Sequence, residues 1–255
     1  MKGDDLMLLE GRNVVVTGSS RGIGAATARL AARHGARVVV NYRTNREAAE
    51  RVVSQIIADG GTAVTVQADV TIPDEVGLLA RTAAQKLGPI DSLVINAAIQ
   101  FRIAPFLDYP WEDFASKLNG ELSAAFHCFK EFVPSMLELG RGSIVAVSSG
   151  LSKHPGEGFC AHSAAKAGLN ALVRAVASEL APRGIRVNTV SPGLTDTDAT
   201  AFMPAERKNM MAAITPLRRI ARPDDIAGMV IVLLSDLAVF NTGAYVPVDG
   251  GMTML

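Results

Sequence analysis

His162 and Lys166 are the two residues whose types and spacing most directly suggest chemistry. They stand at i and i+4 in a predicted helix over 158–181, so they share one face and can act together. An imidazole has an unperturbed pKa of about 6.5, near neutrality, which suits it to proton transfer. A neighbouring ammonium pushes the ring toward its neutral form by like-charge repulsion, and neutral imidazole still offers one N–H donor. Cys160 lies two residues before His162 as in a metal-ligand pair, but no further ligand spacing supports a metal site. His154 and Glu157 precede the helix in a loop, where they would either contribute to substrate binding or be merely solvated.

The elements that must position these side chains follow from the patterning. Short β-branched runs over 13–17, 37–41, 63–67, 92–95, 143–148, 186–190 and 244–248 alternate with helical stretches near 23–34, 46–59, 74–87, 111–139, 158–181 and 223–235. Repeated βαβ units of this kind build a parallel sheet, and near-continuous apolar strands are expected where helices cover both faces. The expectation is a single doubly wound, Rossmann-type α/β domain over 1–255 with a mainly parallel, seven-stranded sheet. Helix breaks fall at Gly35, Gly60-Gly61, Gly88-Pro89 and Gly184. The stretch 195–215 is the one long interruption, placed after a strand's carboxyl end, where such sheets bind ligands. Its Met203, Met210 and Met211 read as an adaptable apolar lid or as ordinary packing.

The whole chain bounds the partners. Its 255 residues carry 25 basic and 25 acidic side chains, so no global field attracts nucleic acid or an anionic membrane. Two cysteines, Cys128 and Cys160, are too few for a disulfide framework and fit a reducing compartment. Met1–Glu10 lacks the pattern of a signal peptide, and no apolar run is long enough for a transmembrane helix. The expectation is a soluble cytoplasmic protein acting on a small molecule.

The segment Thr17-Gly18-Ser19-Ser20-Arg21-Gly22-Ile23-Gly24 joins the first predicted strand to the first predicted helix. Gly18 permits a tight turn, Gly22 lets the backbone approach a phosphate, and Gly24 allows close helix packing. The helix N-terminus then offers free N–H groups and a favourable dipole to a pyrophosphate. The second strand ends in Asn41-Tyr42-Arg43, where an acidic residue would bind a ribose 2′-hydroxyl and repel a 2′-phosphate. Arg43, with Arg21 in the loop and Arg46 nearby, supplies charge-assisted donors for that phosphate, so NADP(H) is favoured over NAD(H). The competing reading makes Arg43 and Arg46 the solvated start of a helix.

This T-G-x-x-x-G-x-G spacing resembles the fingerprint of the short-chain dehydrogenase/reductase family, and the likeness runs over about residues 10–252. Ser149 … His162-Ser163-Ala164-Ala165-Lys166 is similar to that family's Ser … Tyr-x-x-x-Lys site in both spacings, with His162 where the family has tyrosine. Asp69-Val70 resembles the adenine-contacting segment. Asn96-Ala97-Ala98 resembles the Asn-Ala-Gly turn beside the cofactor ribose, with Ala98 as a departure. Asn119 resembles the active-site asparagine whose backbone helps hold a water. Ser191-Pro192-Gly193 and Thr195 resemble the segment that contacts the nicotinamide carboxamide, and Asp249-Gly250-Gly251 the C-terminal signature. The texture is most similar to the ketoacyl-reductase-like branch. That resemblance implies NADPH-dependent carbonyl reduction by a homotetramer or homodimer, with helices 111–139 and 158–181 at an interface. It further implies that Ser149 holds the substrate oxygen, residue 162 passes the proton and Lys166 holds the ribose.

Three readings of His162 stand at this point. It is a general acid in an altered reductase, or a substrate-binding group in a conjugate reductase, isomerase or dehydratase, or part of a degenerate site with a binding role. Imidazole falls roughly 2 Å short of a phenol oxygen, so the substrate would sit deeper or a water would bridge. Retained Ser149, Lys166 and Asn119 weigh against degeneracy, since folding demands none of them. Gln100, Phe101 and Arg102 follow the Asn96 turn and would touch substrate, whereas His127 and Cys128 read as core or interface residues. A fairly apolar lid suggests a moderately hydrophobic carbonyl compound.

Overall fold

The computed structural model describes residues 7–254, so the expectation for Met1–Glu10 and the outer limits of the domain lie largely outside the described residues. Seven strands form one sheet: β1 (Asn13–Val16), β2 (Arg37–Tyr42), β3 (Thr62–Gln67), β4 (Ser92–Ile95), β5 (Gly142–Val147), β6 (Ile185–Pro192) and β7 (Tyr245–Val248). They lie in the order β3-β2-β1-β4-β5-β6-β7, and every neighbouring pair is parallel. Seven α-helices accompany them among the described residues: α1 (Gly22–Arg33), α2 (Arg46–Ala58), α3 (Pro73–Leu87), α4 (Trp111–Leu139), α5 (Cys160–Leu180), α6 (Ala205–Ile214) and α7 (Pro223–Leu234).

Strand alternation divides the core in two. Val14, Val16, Val38 and Val40 face the cluster built with α1, α2 and α7. Val15, Val39, Leu93 and Ile95 face the other, with Val76 and Leu79 of α3, Phe129 and Phe132 of α4 and Leu169 of α5. Both faces are therefore buried, which is why the strands read as unbroken apolar runs.

Most expected boundaries shift by a single residue, and three differences go further. β6 runs on to Pro192, because Ser191 and Pro192 still pair with Pro247 and Val248. α5 begins at Cys160 rather than 158, since Gly158 has φ +83° and cannot belong to a right-handed helix. The interruption at 195–215 contains α6, a helix that buries no residue and so carries no apolar stripe to betray it. Strands β2 and β4 flank β1, so the chain's direction across the sheet reverses there, and the loops after β1 and β4 open a crevice at their carboxyl ends.

Candidate active site

The loop after β1 is clamped from both sides. Asn41 of β2 accepts the Gly18 N–H at 3.0 Å and donates to the carbonyls of Val66 and Ala68. Asn96, just past β4, donates to the carbonyls of Thr17 and Gly18 at 2.9 and 3.1 Å. Two glycines are required here. Gly18 has φ +60° and a Cβ on it would stand 2.7 Å from Ala97 Cα, while a Cβ on Gly24 would stand 2.5 Å from Asn96 Nδ2.

The residues fit a pyrophosphate. α1 has no side-chain cap and no acidic residue in its first turn, so its leading N–H groups stay available. Gly22, at φ +56°, leaves its nearest would-be Cβ contact at 3.5 Å, on Thr197. Ser20 is half-buried in the loop, Ile23 packs on the core, and Arg21 is exposed, 3.9 Å from Asp198. At the end of β2, Arg43 lies 3.5 Å from Asp69, which also accepts the N–H and O–H of Thr71. Burial works against the Asp69 charge, but the bonds from Thr71 and the nearby Arg43 outweigh it and hold the carboxyl below its usual range. Val70 is different. Its side chain belongs to the core, which leaves only its backbone for a ligand. Pro192 ends β6, Gly193 packs against Asp249, and Thr195 is buried with its hydroxyl donating to the Gly193 carbonyl.

The catalytic half is organised around a residue that sequence reasoning missed. Glu121 is buried on α4 and accepts from Lys166 at 2.6 Å and from Lys117 at 2.6 Å. Lys166 also donates to the Val147 carbonyl at 2.7 Å, and Lys117 to the Ile99 carbonyl at 2.9 Å. Burial alone would raise the Glu121 pKa, but the two ammonium groups reverse that and hold it at about 2. Lys117, desolvated to 1% side-chain exposure, is shifted below the usual lysine range despite its Glu121 partner. The available signal was an i,i+4 charge pair on a stripe whose other members are Ala124, Cys128, Phe132 and Met136, since ionised residues on an apolar face must be paired.

Ser149 lies two residues past β5 and caps the short 3₁₀ turn Gly150–Ser152, accepting the Leu151 N–H at 3.2 Å. Phe101 stacks on the His162 imidazole, with centroids 4.6 Å apart and planes inclined by 25°, and Phe159 meets the ring edge-on at 6.5 Å. Burial first, then the charges of Lys166 and Lys117, push the imidazole pKa down to about 3. His162 is therefore neutral at any ordinary working pH.

Some expected members lie elsewhere. Asn119 is exposed and belongs to an outer hollow shared by Leu122, Phe126, His127, Gly168 and Leu172, not to the Lys166 cluster. Two residues along a helix turn a side chain by roughly 200°, so Glu121 takes the inward position instead. His154 and Glu157 are exposed, Cys128 is core, and Gln100 and Arg102 flank Phe101, Arg102 pairing with Asp113 at 3.6 Å. Met210 is exposed, with Met203 and Met211 partly so. Among the described residues no group of three His, Cys, Asp or Glu could hold a metal ion.

Comparison with known proteins meets this geometry. The family described as enoyl-(acyl carrier protein) reductase matches residues 18–253. The chain belongs to the short-chain dehydrogenase/reductase family. A 3-oxoacyl-[acyl-carrier-protein] reductase of Synechocystis sp. is 42% identical over 243 residues, 94% of this chain and 96% of that protein. An L-rhamnose 1-dehydrogenase (NAD(P)(+)) of Azotobacter vinelandii is 38% identical, over 96% of this chain and 98% of that one. A solved 7α-hydroxysteroid dehydrogenase, in complex with NADH and 7-oxo glycochenodeoxycholic acid, superposes with a TM-score of 0.92 at 34% identity, covering 98% of each chain. This short-chain dehydrogenase/reductase is thus an oxidoreductase by family.

Proposed function

We propose that the enzyme is an NADP(H)-preferring reductase of a carbonyl or enone in a small, moderately hydrophobic substrate, with Ser149 and His162 binding the substrate oxygen. His162 stands here in place of the family's tyrosine. The observation that carries this reading is the His162 imidazole itself, neutral and with its Nδ1 buried and without a hydrogen-bond partner. A proton on Nδ1 would be an unsatisfied buried donor close to two ammonium groups, so the favoured tautomer carries it on Nε2. An Nε2–H donor, with the Ser149 hydroxyl as the proposed second donor, stabilises negative charge developing on the substrate oxygen and need not itself give up a proton. When bound, the nicotinamide supplies the hydride.

Lys166 has three N–H donors, of which Glu121 and Val147 take two, leaving one for a ribose hydroxyl. Arg43 and Arg21 would hold a 2′-phosphate, Asn96 keeps the glycine loop in register, and Asp69 lies beside the adenine end. The enzyme is taken to be cytoplasmic and to assemble as a homotetramer or homodimer through the outer face of α4 and α5, where Phe126 is half exposed. Among the described residues no helix is long and apolar enough to cross a membrane.

The test is a fluorescence titration with NADPH and NADH, followed by cofactor-consumption assays on ketones and enones. Tight NADPH binding with consumption by either substrate class supports the reading. Absence of binding by both cofactors overturns it.

A further inference from the structure

We propose that Lys117 and Glu121 are positioning residues of this site, Glu121 clamping Lys166 to the end of β5 and Lys117 holding Phe101 against the imidazole of His162. The inference deepens the function proposed above and rests on its reading of His162.

The contacts form a continuous chain. Glu121 Oε1 meets Lys166 Nζ and Oε2 meets Lys117 Nζ, each at 2.6 Å. The two lysines then reach the ends of two neighbouring strands. Lys166 bonds the carbonyl of Val147, the last residue of β5, while Lys117 bonds the carbonyl of Ile99 in the loop after β4. Two residues beyond Ile99, the Phe101 ring lies with its centroid 5.2 Å from Lys117 Nζ and stacks on His162. A cation over one ring that in turn covers another fixes both orientations.

Folding does not call for this cluster. Well-packed apolar residues in place of a buried ion pair or triad are often neutral or stabilising. Its location argues for a role at the reacting centre. The charged groups bearing on His162 are Lys166 from its own helix and Lys117 and Glu121 from α4, two cations against one anion. Together with the Phe101 cover they oppose an imidazolium and favour the neutral donor. The residual positive charge also favours a substrate oxygen that becomes anionic.

The test follows His162 by NMR, using histidine labelled at Cε1, in the full chain without substrate. In K117M, the His162 pKa is expected to rise by about one unit or more, with loss of the ring-current shift from Phe101. The acid limb of kcat/KM moves by the same amount. F101L removes the ring by construction and gives the reference for complete loss of the ring-current shift, and K117Q provides the reading if K117M does not fold. In E121Q, or E121D if that variant fails to fold, the NADPH Kd rises about tenfold as Lys166 loses its anchor. A His162 titration and shift that superimpose in wild type and the Lys117 variant overturn the Lys117 half, and an unchanged NADPH Kd overturns the Glu121 half. If the wild type binds no nicotinamide and reduces no carbonyl or enone, the functional reading falls, but the NMR comparison still decides the Lys117 assignment.

Discussion

Glu121 Oε1 lies 2.6 Å from Lys166 Nζ across 45 residues of sequence, joining α4 to α5 by a buried ion pair. The lysine expected to hold a ribose is thereby fixed before any ligand arrives. Such preorganisation lowers the cost of ordering a long side chain on binding.

Removal of the carboxylate is expected to be severe. Glu121→Gln leaves two ammonium groups buried without a counter-ion, at a cost of about 3–5 kcal/mol. The double variant K117M/E121Q recovers part of that loss, because one unpaired cation goes with it. Urea unfolding of the two variants checks both statements.

Acid should weaken the fold well before the ordinary carboxylate range. His162 has a folded pKa depressed from 6.5 to about 3, so the unfolded chain takes up that proton first and stability falls as pH drops below 6.5. Glu121 is depressed from 4.5 to about 2, so its contribution is present above 4.5 and is lost as pH falls toward 2. Both shifts act in one direction, and stability should rise with pH from about 3 to about 7. A melting temperature that stays flat across that range contradicts the His162 assignment.

His162→Ala is expected to lower kcat/KM by about two to four orders of magnitude while leaving NADPH affinity intact. His162→Tyr carries an oxygen roughly 2 Å farther toward the substrate and should gain ordinary ketone reduction, since Ser149 and Lys166 are already in place. Steady-state kinetics on a simple ketone decide the second point.

Gly24→Ala should damage the cofactor cradle. Its Cβ would lie 2.5 Å from Asn96 Nδ2, 2.7 Å from the Gly18 carbonyl oxygen and 2.8 Å from Ser19 Cα, none of which moves without disturbing the loop. The expected loss is about 1–3 kcal/mol of stability, with NADPH raising the melting temperature less than in wild type.

Arg43→Ala should raise the NADPH Kd about tenfold and leave the NADH Kd nearly unchanged, because only the 2′-phosphate needs the guanidinium. Parallel fluorescence titrations report the ratio. Equal effects on both cofactors would place Arg43 in the pairing with Asp69 alone.

Much of the framework was legible from local pattern. The order of strands and helices, the glycine loop after β1 and the His162–Lys166 spacing all follow from residues close together in the chain. α6 was not legible, since a helix that buries nothing leaves no period in its sequence. Asn119 and Glu121 illustrate the same limit on a finer scale. Both stand on α4, and only packing against α5 shows which of them faces Lys166.

The sequence by itself determined the doubly wound fold, the glycine loop between β1 and α1 and the placing of His162 and Lys166 on one helix, because periodicity, glycine stereochemistry and i,i+4 geometry are properties of short segments. Tertiary structure alone decided that Glu121 bridges two buried lysines, that Phe101 covers the imidazole and that burial, ahead of the Lys166 charge, holds His162 neutral. Those facts depend on desolvation and on charges brought together from α4, α5 and the loop after β4, and no local stretch of sequence contains them.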